Sequence, residues 1–166
     1  DNTHILPMLA PFEQSGCSVR QLGRALNIMA PRRLSAVRHI RTMPYPGFPT
    51  DAQPVVMAMA AVGRGTSIFV ETIFENRFKH AEGLERLGAK IKVEGKVAIV
   101  EGVEHLTGAP VMSHDLRGGA ALVVAGLCAQ GRTQVDGVGY IRRGYEDLAG
   151  NLADLGARIR EVEEAP

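Results

Sequence analysis

Two aspartates and three arginines stand in this sequence at positions where carboxylate and guanidinium chemistry could be combined. Asp51 follows Pro44-Tyr45-Pro46-Gly47-Phe48-Pro49-Thr50, a stretch whose prolines and Gly47 impose a stiff, turn-rich path before an apolar run begins. Asp115 precedes a second apolar run, with Arg117 two residues beyond it, and Arg77 and Arg143 each follow the strand after such a run. A carboxylate in the first turn of a helix lies near the positive end of the helix dipole and can act as a positioned acid or base. Guanidinium groups and the free N–H groups of helix N-termini bind phosphate and carboxylate oxygens. Asp51 can equally be a carboxylate that only stabilises a helix start, and its surroundings alone leave both readings open.

The elements that must carry these groups repeat. Thr50 and Gln53 have the spacing of a capping box, which predicts a helix from Asp51 to about Val62, ended by Gly63 and Gly65. A strand is expected over Thr66–Ile73, then a helix from about Arg77 to Leu87, closed by Gly88 at its C′ position. Strands Ala89–Val93 and Val97–Glu101 follow, joined by a Glu94-Gly95-Lys96 turn. The second copy reads as an apolar helix Leu116–Ala129, a strand from Thr133 to about Val138, a helix from about Gly144 to Leu155 and a strand Ala157–Val162. Asp115 matches Asp51 at an offset of 64, Arg143 matches Arg77 at 66, and Leu155-Gly156-Ala157 matches Leu87-Gly88-Ala89 at 68. Before them, Ile5–Glu13 reads as a short helix and residues 17–41 as two or three strands around Gly23. Gly16-Cys17-Ser18-Val19 stands where Gly88-Ala89-Lys90-Ile91 stands later, as the tail of a partial earlier copy. The expected organisation is therefore one domain over 1–166, with repeats at about 1–43, 44–109 and 110–166.

The first helix of each copy is apolar on nearly every face and is expected to be buried. The last is amphipathic, with Tyr145, Leu148, Leu152 and Leu155 on one stripe. Buried helices inside, with sheets and amphipathic helices outside, give an α/β arrangement of pseudo-threefold symmetry rather than a doubly wound sheet. Helix N-termini of successive copies then converge at one end, which is an anion site in the making.

Composition excludes several alternatives. With 166 residues, 45% hydrophobic and 22% charged, the chain can bury a real core. A net charge of +1 with no basic block gives no reason to expect nucleic acid or an anionic membrane as partner, and no apolar run reaches the roughly 20 residues of a membrane span. Cys17 and Cys128, far apart, fit free thiols in a reducing cytoplasm, with Cys128 expected in the core. His4, His39, His80, His105 and His114 show no metal-ligand spacing, no metal or other cofactor is indicated, and His114 alone is placed beside a candidate site residue. The chain opens directly on a core-like segment, which reads as a cut edge.

Four stretches taken together, Pro46-Gly47-Phe48-Pro49-Thr50-Asp51-Ala52-Gln53, Glu71-Thr72-Ile73-Phe74-Glu75-Asn76-Arg77-Phe78, Asp115-Leu116-Arg117-Gly118-Gly119-Ala120 and Arg143-Gly144-Tyr145-Glu146, closely resemble the UDP-N-acetylglucosamine enolpyruvyl transferases, or 1-carboxyvinyltransferases. The match covers residues 44–163 in order and 1–43 more loosely. The shikimate-pathway relative shares the fold without this combination of motifs. The resemblance implies two similar domains, each an inside-out α/β barrel of three βαβαββ-type repeats, of which this chain is most of the C-terminal one with the first part of the barrel missing. It implies that the enzyme moves enolpyruvate from phosphoenolpyruvate to the 3-hydroxyl of UDP-N-acetylglucosamine in peptidoglycan synthesis. Asp51 would then take part in deprotonating the sugar hydroxyl. Ile73 through its backbone, with Phe74 and Arg77 nearby, would bind the nucleotide sugar. Arg117 and Arg143 would face phosphoenolpyruvate, and Asp115 would help position Arg143. Arg142 stands where the family often has an acidic residue. The family's phosphoenolpyruvate-binding Lys-Asn pair and its reactive cysteine loop belong to segments outside this sequence, so the chain alone is expected to be inactive. It would need an N-terminal domain or a second chain, and a cut barrel with open strand edges is expected to form a homodimer. The alternative is a non-catalytic, nucleotide-sugar-binding or regulatory half-protein.

Overall fold

A computed structural model describes residues 5–162; His4 lies outside the described residues. The order is α1 (Leu6–Gln14), β1 (Ser18–Leu22), β2 (Ala25–Met29), β3 (His39–Arg41), α2 (Gln53–Ala61), β4 (Thr66–Val70), α3 (His80–Arg86), β5 (Lys90–Glu94) and β6 (Val97–Glu101). It continues with β7 (Leu106–Thr107), β8 (Pro110–Met112), α4 (Leu116–Cys128), β9 (Ala129–Gln130), β10 (Gln134–Asp136), α5 (Val138–Arg142) and α6 (Leu148–Asp154). No helix among the described residues is long and apolar enough to cross a membrane.

Helices α2 and α4 lie against each other at the centre. Met57, Ala58 and Ala61 of α2 and Ala121, Leu122 and Ala125 of α4 are buried in one cluster with Leu84 and Leu87 at the end of α3. A four-stranded sheet in the order β3-β4-β6-β5 covers α2. Its central pair follows the two-residue period of a one-sided sheet, with Phe69, Ala98 and Val100 inward and Ile68 and Ile99 outward. α4 is wrapped for most of its length but emerges at its end, where Leu127 and Cys128 are exposed; Cys128 is therefore not the core residue its apolar context suggests. Cys17 is buried, with its Sγ 3.6 Å from Ser15 Oγ.

The backbone recurs where the sequence does. β3 pairs in parallel with β4 across α2, and β8 pairs in parallel with β10 across α4. The hairpin β1–β2 after α1 has its counterpart in β5–β6 after α3. α1, α3 and α6 each end at a left-handed glycine, Gly16, Gly88 and Gly156, with φ of 93°, 92° and 94°.

Several boundaries differ from expectation, each for a local reason. The Thr50/Gln53 capping box does not form: α2 starts at Gln53 with Ala52 as an N-cap that has no side-chain bond. Pro54 removes one of the donors a cap would serve, and the Thr50 hydroxyl donates instead to Glu71. β4 stops at Val70 because the next residues turn back on Glu71, and α3 begins at His80 rather than Arg77. The helix expected from about Gly144 to Leu155 starts only at Leu148, as α6, where Asp147 caps it through Gly150 N at 2.8 Å; the short helix α5 that precedes residues 143–147 was not expected. Residues 157–162 form no ladder among the described residues, whereas their counterpart β5 is held by β6. The stripe on α6 is correspondingly open, with Leu155 84% exposed.

Two features of this core make measurable demands. β6 leaves the sheet by crossing the end of α2, with Gly102 N donating to Gly65 O at 2.9 Å and Val103 N to Ala61 O at 2.8 Å. A methyl group on Gly102 would collide with the Gly63 carbonyl. Gly102→Ala is expected to cost about 3 kcal/mol or more in urea unfolding, against about 1 kcal/mol for Gly95→Ala, which loses only a left-handed conformation in open space. His80 is the second. It is buried against the first turn of α4 with no well-formed hydrogen bond at either ring nitrogen, and burial pulls its pKa from 6.5 to about 4, opposed by Asp115. The unfolded chain takes up this proton below pH 6.5 and the folded one does not, so the contribution is whole above pH 6.5 and is lost as pH falls towards 4. His80→Leu is expected to remove about 2–3 kcal/mol of the stability difference between pH 7 and pH 4.5, read by urea unfolding at both.

Candidate active site

Three segments far apart in sequence meet above the N-terminal ends of α2 and α4. The 49–52 turn carries Asp51, the 71–79 loop between β4 and α3 carries Arg77, and α4 carries Arg117 in its first turn. Asp51 receives both arginines. Arg77 Nη2 donates to Asp51 Oδ1 at 2.7 Å, and Arg117 Nη2 donates to Asp51 Oδ2 at 3.1 Å. Asp51 is 55% exposed while the arginines are 18% and 31% exposed, so the carboxylate faces solvent and its partners are set back against the protein. An ion pair this exposed contributes on the order of 0–1 kcal/mol, too little to organise three segments. The packing of α2 on α4 brings them together, and the pairs exploit it.

Each arginine is anchored from behind. Arg77 lies over the Phe74 ring at 5.3 Å and reaches the Thr50 carbonyl at 3.5 Å. Its Nε is buried without a hydrogen-bond partner among the described residues. Arg117 lies over the Tyr145 ring at 5.6 Å and donates to the Tyr145 hydroxyl at 3.3 Å. That hydroxyl is the largest cause holding the Arg117 pKa above its ordinary value; burial opposes it and Asp51 adds to it. The charge is thus fixed at every accessible pH.

Asp115 is held by its own helix. It is the N-cap of α4, its Oδ1 accepting from Arg117 N at 3.0 Å and Gly118 N at 2.8 Å. No ion pair joins it to Arg143 among the described residues. The glycines after Arg117 are required by close approach. A methyl on Gly118 would stand 2.8 Å from Asp115 Oδ2, and one on Gly119 would strike the Ser113 hydroxyl and Ile141.

The resulting cleft has a volume of about 390 Å³ and is lined by Asp51, Arg77, His114, Asp115, Leu116, Arg117, Tyr140 and Arg143. Arg143 is exposed and makes no ion pair among the described residues, so its guanidinium is available to a ligand. Three guanidinium groups against two carboxylates leave the cleft with an excess positive charge, suited to an anion. Ile73 and Phe74 border this cleft rather than line it, with side chains partly exposed. The Ile73 amide is already donated to Glu71 at 2.8 Å, which leaves its carbonyl for any outside partner. Arg142 turns away and pairs with Glu161. Among the described residues no group of three histidine, cysteine, aspartate or glutamate side chains could hold a metal ion.

Sequence reasoning placed five of these side chains, Asp51, Arg77, Asp115, Arg117 and Arg143, in one neighbourhood, and the structure brings all five together. Arg77 has Glu75 two residues away in sequence and pairs with the distant Asp51. Tyr145 was visible only as one residue of an apolar stripe, and Tyr140 and Leu116 carried no signal of their own.

Comparison with known proteins agrees with this geometry. The family model described as EPSP synthase (3-phosphoshikimate 1-carboxyvinyltransferase) matches residues 3–152. A UDP-N-acetylglucosamine 1-carboxyvinyltransferase of Desulfofundulus thermocisternus is 53% identical over 94% of this chain and 64% of its own length. UDP-N-acetylglucosamine 1-carboxyvinyltransferase 2 of Caldanaerobacter subterraneus subsp. tengcongensis is 49% identical over 96% of this chain, which spans only 38% of that relative. Among solved structures, the enolpyruvyl transferase NikO from Streptomyces tendae superposes with a TM-score of 0.84 at 29% identity, covering 94% of this chain and 36% of that one. An EPSP synthase from Acinetobacter baumannii, at 19% identity and a TM-score of 0.76, shares the fold over 99% of this chain and 41% of its own. The architecture of central buried helices under mixed sheets is that of the enolpyruvyl transferases, and the chain belongs to the EPSP synthase family.

Proposed function

We propose that this chain supplies one wall of the cleft in which enolpyruvate passes from phosphoenolpyruvate to the 3-hydroxyl of UDP-N-acetylglucosamine, a step of peptidoglycan synthesis. Residues 1–166 act as a single domain of three repeats, about 1–43, 44–109 and 110–166, and the other wall comes from a complementary N-terminal domain. The observation that carries this reading is the exposed Asp51 carboxylate held between Arg77 and Arg117, with Arg143 in the same cleft and in no ion pair among the described residues.

The reaction needs a base for the sugar hydroxyl, a proton for the vinyl carbon and neutralisation of a departing phosphate. As the sugar oxygen bonds to C2 of phosphoenolpyruvate, its proton goes to a carboxylate and C3 gains one. C3 then returns a proton as the C2–O bond to phosphate breaks, so the enol ether and inorganic phosphate are the products. Asp51 is the residue we assign to the hydroxyl proton. Arg117 and Arg143 take the carboxylate and phosphate of phosphoenolpyruvate. Arg77, Phe74 and the Ile73 carbonyl hold the nucleotide sugar, and Asp115 aligns the α4 terminus on which Arg117 stands. When the anionic substrate arrives it competes with Asp51 for Arg117, and this exchange frees a carboxylate oxygen for the incoming hydroxyl. The free thiols of Cys17 and Cys128 are in keeping with a reducing cytoplasm.

The test is phosphate release from phosphoenolpyruvate in the presence of UDP-N-acetylglucosamine, with this chain alone and with the N-terminal portion of a relative added. Turnover is expected only in the mixture. Nucleotide-sugar binding with no turnover in either arm would leave a binding module and remove the enzyme reading. In the active mixture Asp51→Asn is expected to lower kcat by about 10²–10⁴-fold with little change in sugar KM. Arg117→Ala is expected to lower kcat/KM for phosphoenolpyruvate by about 10²–10³-fold. Arg117→Lys should recover only part of this, because a lysine cannot reach Asp51 and Tyr145 together.

A further inference from the structure

Glu71 is only 1% exposed, bears no cation among the described residues and is not part of the cleft lining. A carboxylate buried without a counter-charge is costly unless hydrogen bonds replace the lost water. Three do so. Oε1 accepts from the Ile73 amide at 2.8 Å and the Phe74 amide at 3.1 Å, and Oε2 accepts from the Thr50 hydroxyl at 3.0 Å. The donors come from the two segments that the proposed function assigns to different tasks, the Ile73–Phe74 loop that holds the sugar nucleotide and the turn whose next residue is Asp51.

The structure thus assigns a role that rests on the proposed function and extends it: we infer that Glu71 is a positioning residue that fixes the spacing between the sugar-binding loop and the Asp51 carboxylate. The two ends of the clamp are separable. One oxygen gathers the Ile73 and Phe74 amides into a turn, which leaves the Ile73 carbonyl for an outside partner. The other holds Thr50, whose carbonyl also receives Arg77. Because Arg77 then reaches Asp51, one of the two guanidinium braces of the base depends on the turn that Glu71 holds. The remaining main-chain path is tied by a second pair of bonds, Thr72 N to Thr42 Oγ1 at 2.9 Å and the Thr72 hydroxyl to the Thr42 carbonyl, which hold Thr72 to the end of β3 independently of Glu71. Loss of the carboxylate therefore loosens the loop without detaching it.

The chemistry also says which substitutions rescue the clamp. Glutamine at position 71 keeps one oxygen for the two amides and offers its NH2 to the Thr50 hydroxyl, which can accept. Alanine removes both ends. Thr50→Val removes only the Asp51 end, and Thr50→Ser restores it.

The variants Glu71→Gln, Glu71→Ala, Thr50→Val and Thr50→Ser are compared by amide hydrogen exchange in this chain and by kinetics of the complemented enzyme. Exchange at Ile73 and Phe74 is expected to accelerate by about 10-fold or more in Glu71→Ala, to stay near wild type in Glu71→Gln and to be untouched in Thr50→Val, with amides in α2 and α4 unchanged throughout. Kinetically, Thr50→Val is expected to lower kcat about 10-fold at constant sugar KM, with most of the loss recovered by Thr50→Ser. Glu71→Ala should raise KM and lower kcat together. Unaltered Ile73 and Phe74 exchange in Glu71→Ala overturns the clamp whatever the enzyme does, as does a Thr50→Val defect that appears in KM alone. If Glu71→Ala does not fold, the Thr50 pair decides the matter on its own. Absence of turnover in the wild-type mixture sinks the proposed function instead, and the exchange data still decide the clamp.

Discussion

The shared carboxylate of Asp51 is the constraint around which the rest is arranged. Its two guanidinium partners arrive from opposite sides, one from the loop that follows β4 and one from the first turn of α4, and they can meet only if α2 and α4 lie side by side with their N-terminal ends level. The central pairing of small residues makes that possible. Ala58 and Ala61 on one helix and Ala121 and Ala125 on the other let the two backbones approach closely. The ion pairs themselves are too exposed to contribute much to stability. The apolar core does the organising, and the charges inherit their geometry from it.

Glycine placement serves the same end. Gly118 and Gly119 follow Arg117 immediately, and at both positions a side chain would push α4 away from the Asp115 cap, from Ser113 or from Ile141. The motif Asp-Leu-Arg-Gly-Gly is therefore one mechanical unit: cap, apolar anchor, charge, and two positions of close approach that set the charge at the right height. His80, packed under the same turn, completes the seat and makes it sensitive to acid.

The repeated order of elements, the left-handed glycines that end α3 and α6 and the five charged residues of the cleft were legible in the sequence, because each depends on short-range chemistry or on a copy that reinforces it. What could not be read were choices between local and distant partners. Thr50 and Gln53 spell a capping box, yet the hydroxyl goes to Glu71, far along the chain, and Gln53 is buried with its Nε2 against Met57 Sδ. Asp115 caps its own helix, a use of its carboxylate that its place in the motif did not announce. Arg77 has Glu75 close by in sequence and pairs with Asp51. For Thr50 and Arg77 a distant partner outcompetes the nearest neighbour, and that outcome is not visible before the chain folds. The run after Gly156 failed as a strand for a related reason, since a strand is defined by its ladder partner and not by its own residues.

The two prongs on Asp51 come from different runs of elements, Arg77 from the stretch between β4 and α3 that follows Asp51 and Arg117 from the start of α4, beyond the four-stranded sheet. A solitary run of this kind therefore carries a carboxylate and half of its embrace, and the full arrangement is a property of neighbouring runs. The same reasoning makes the chain between β6 and α4 the seam across which the site is stitched.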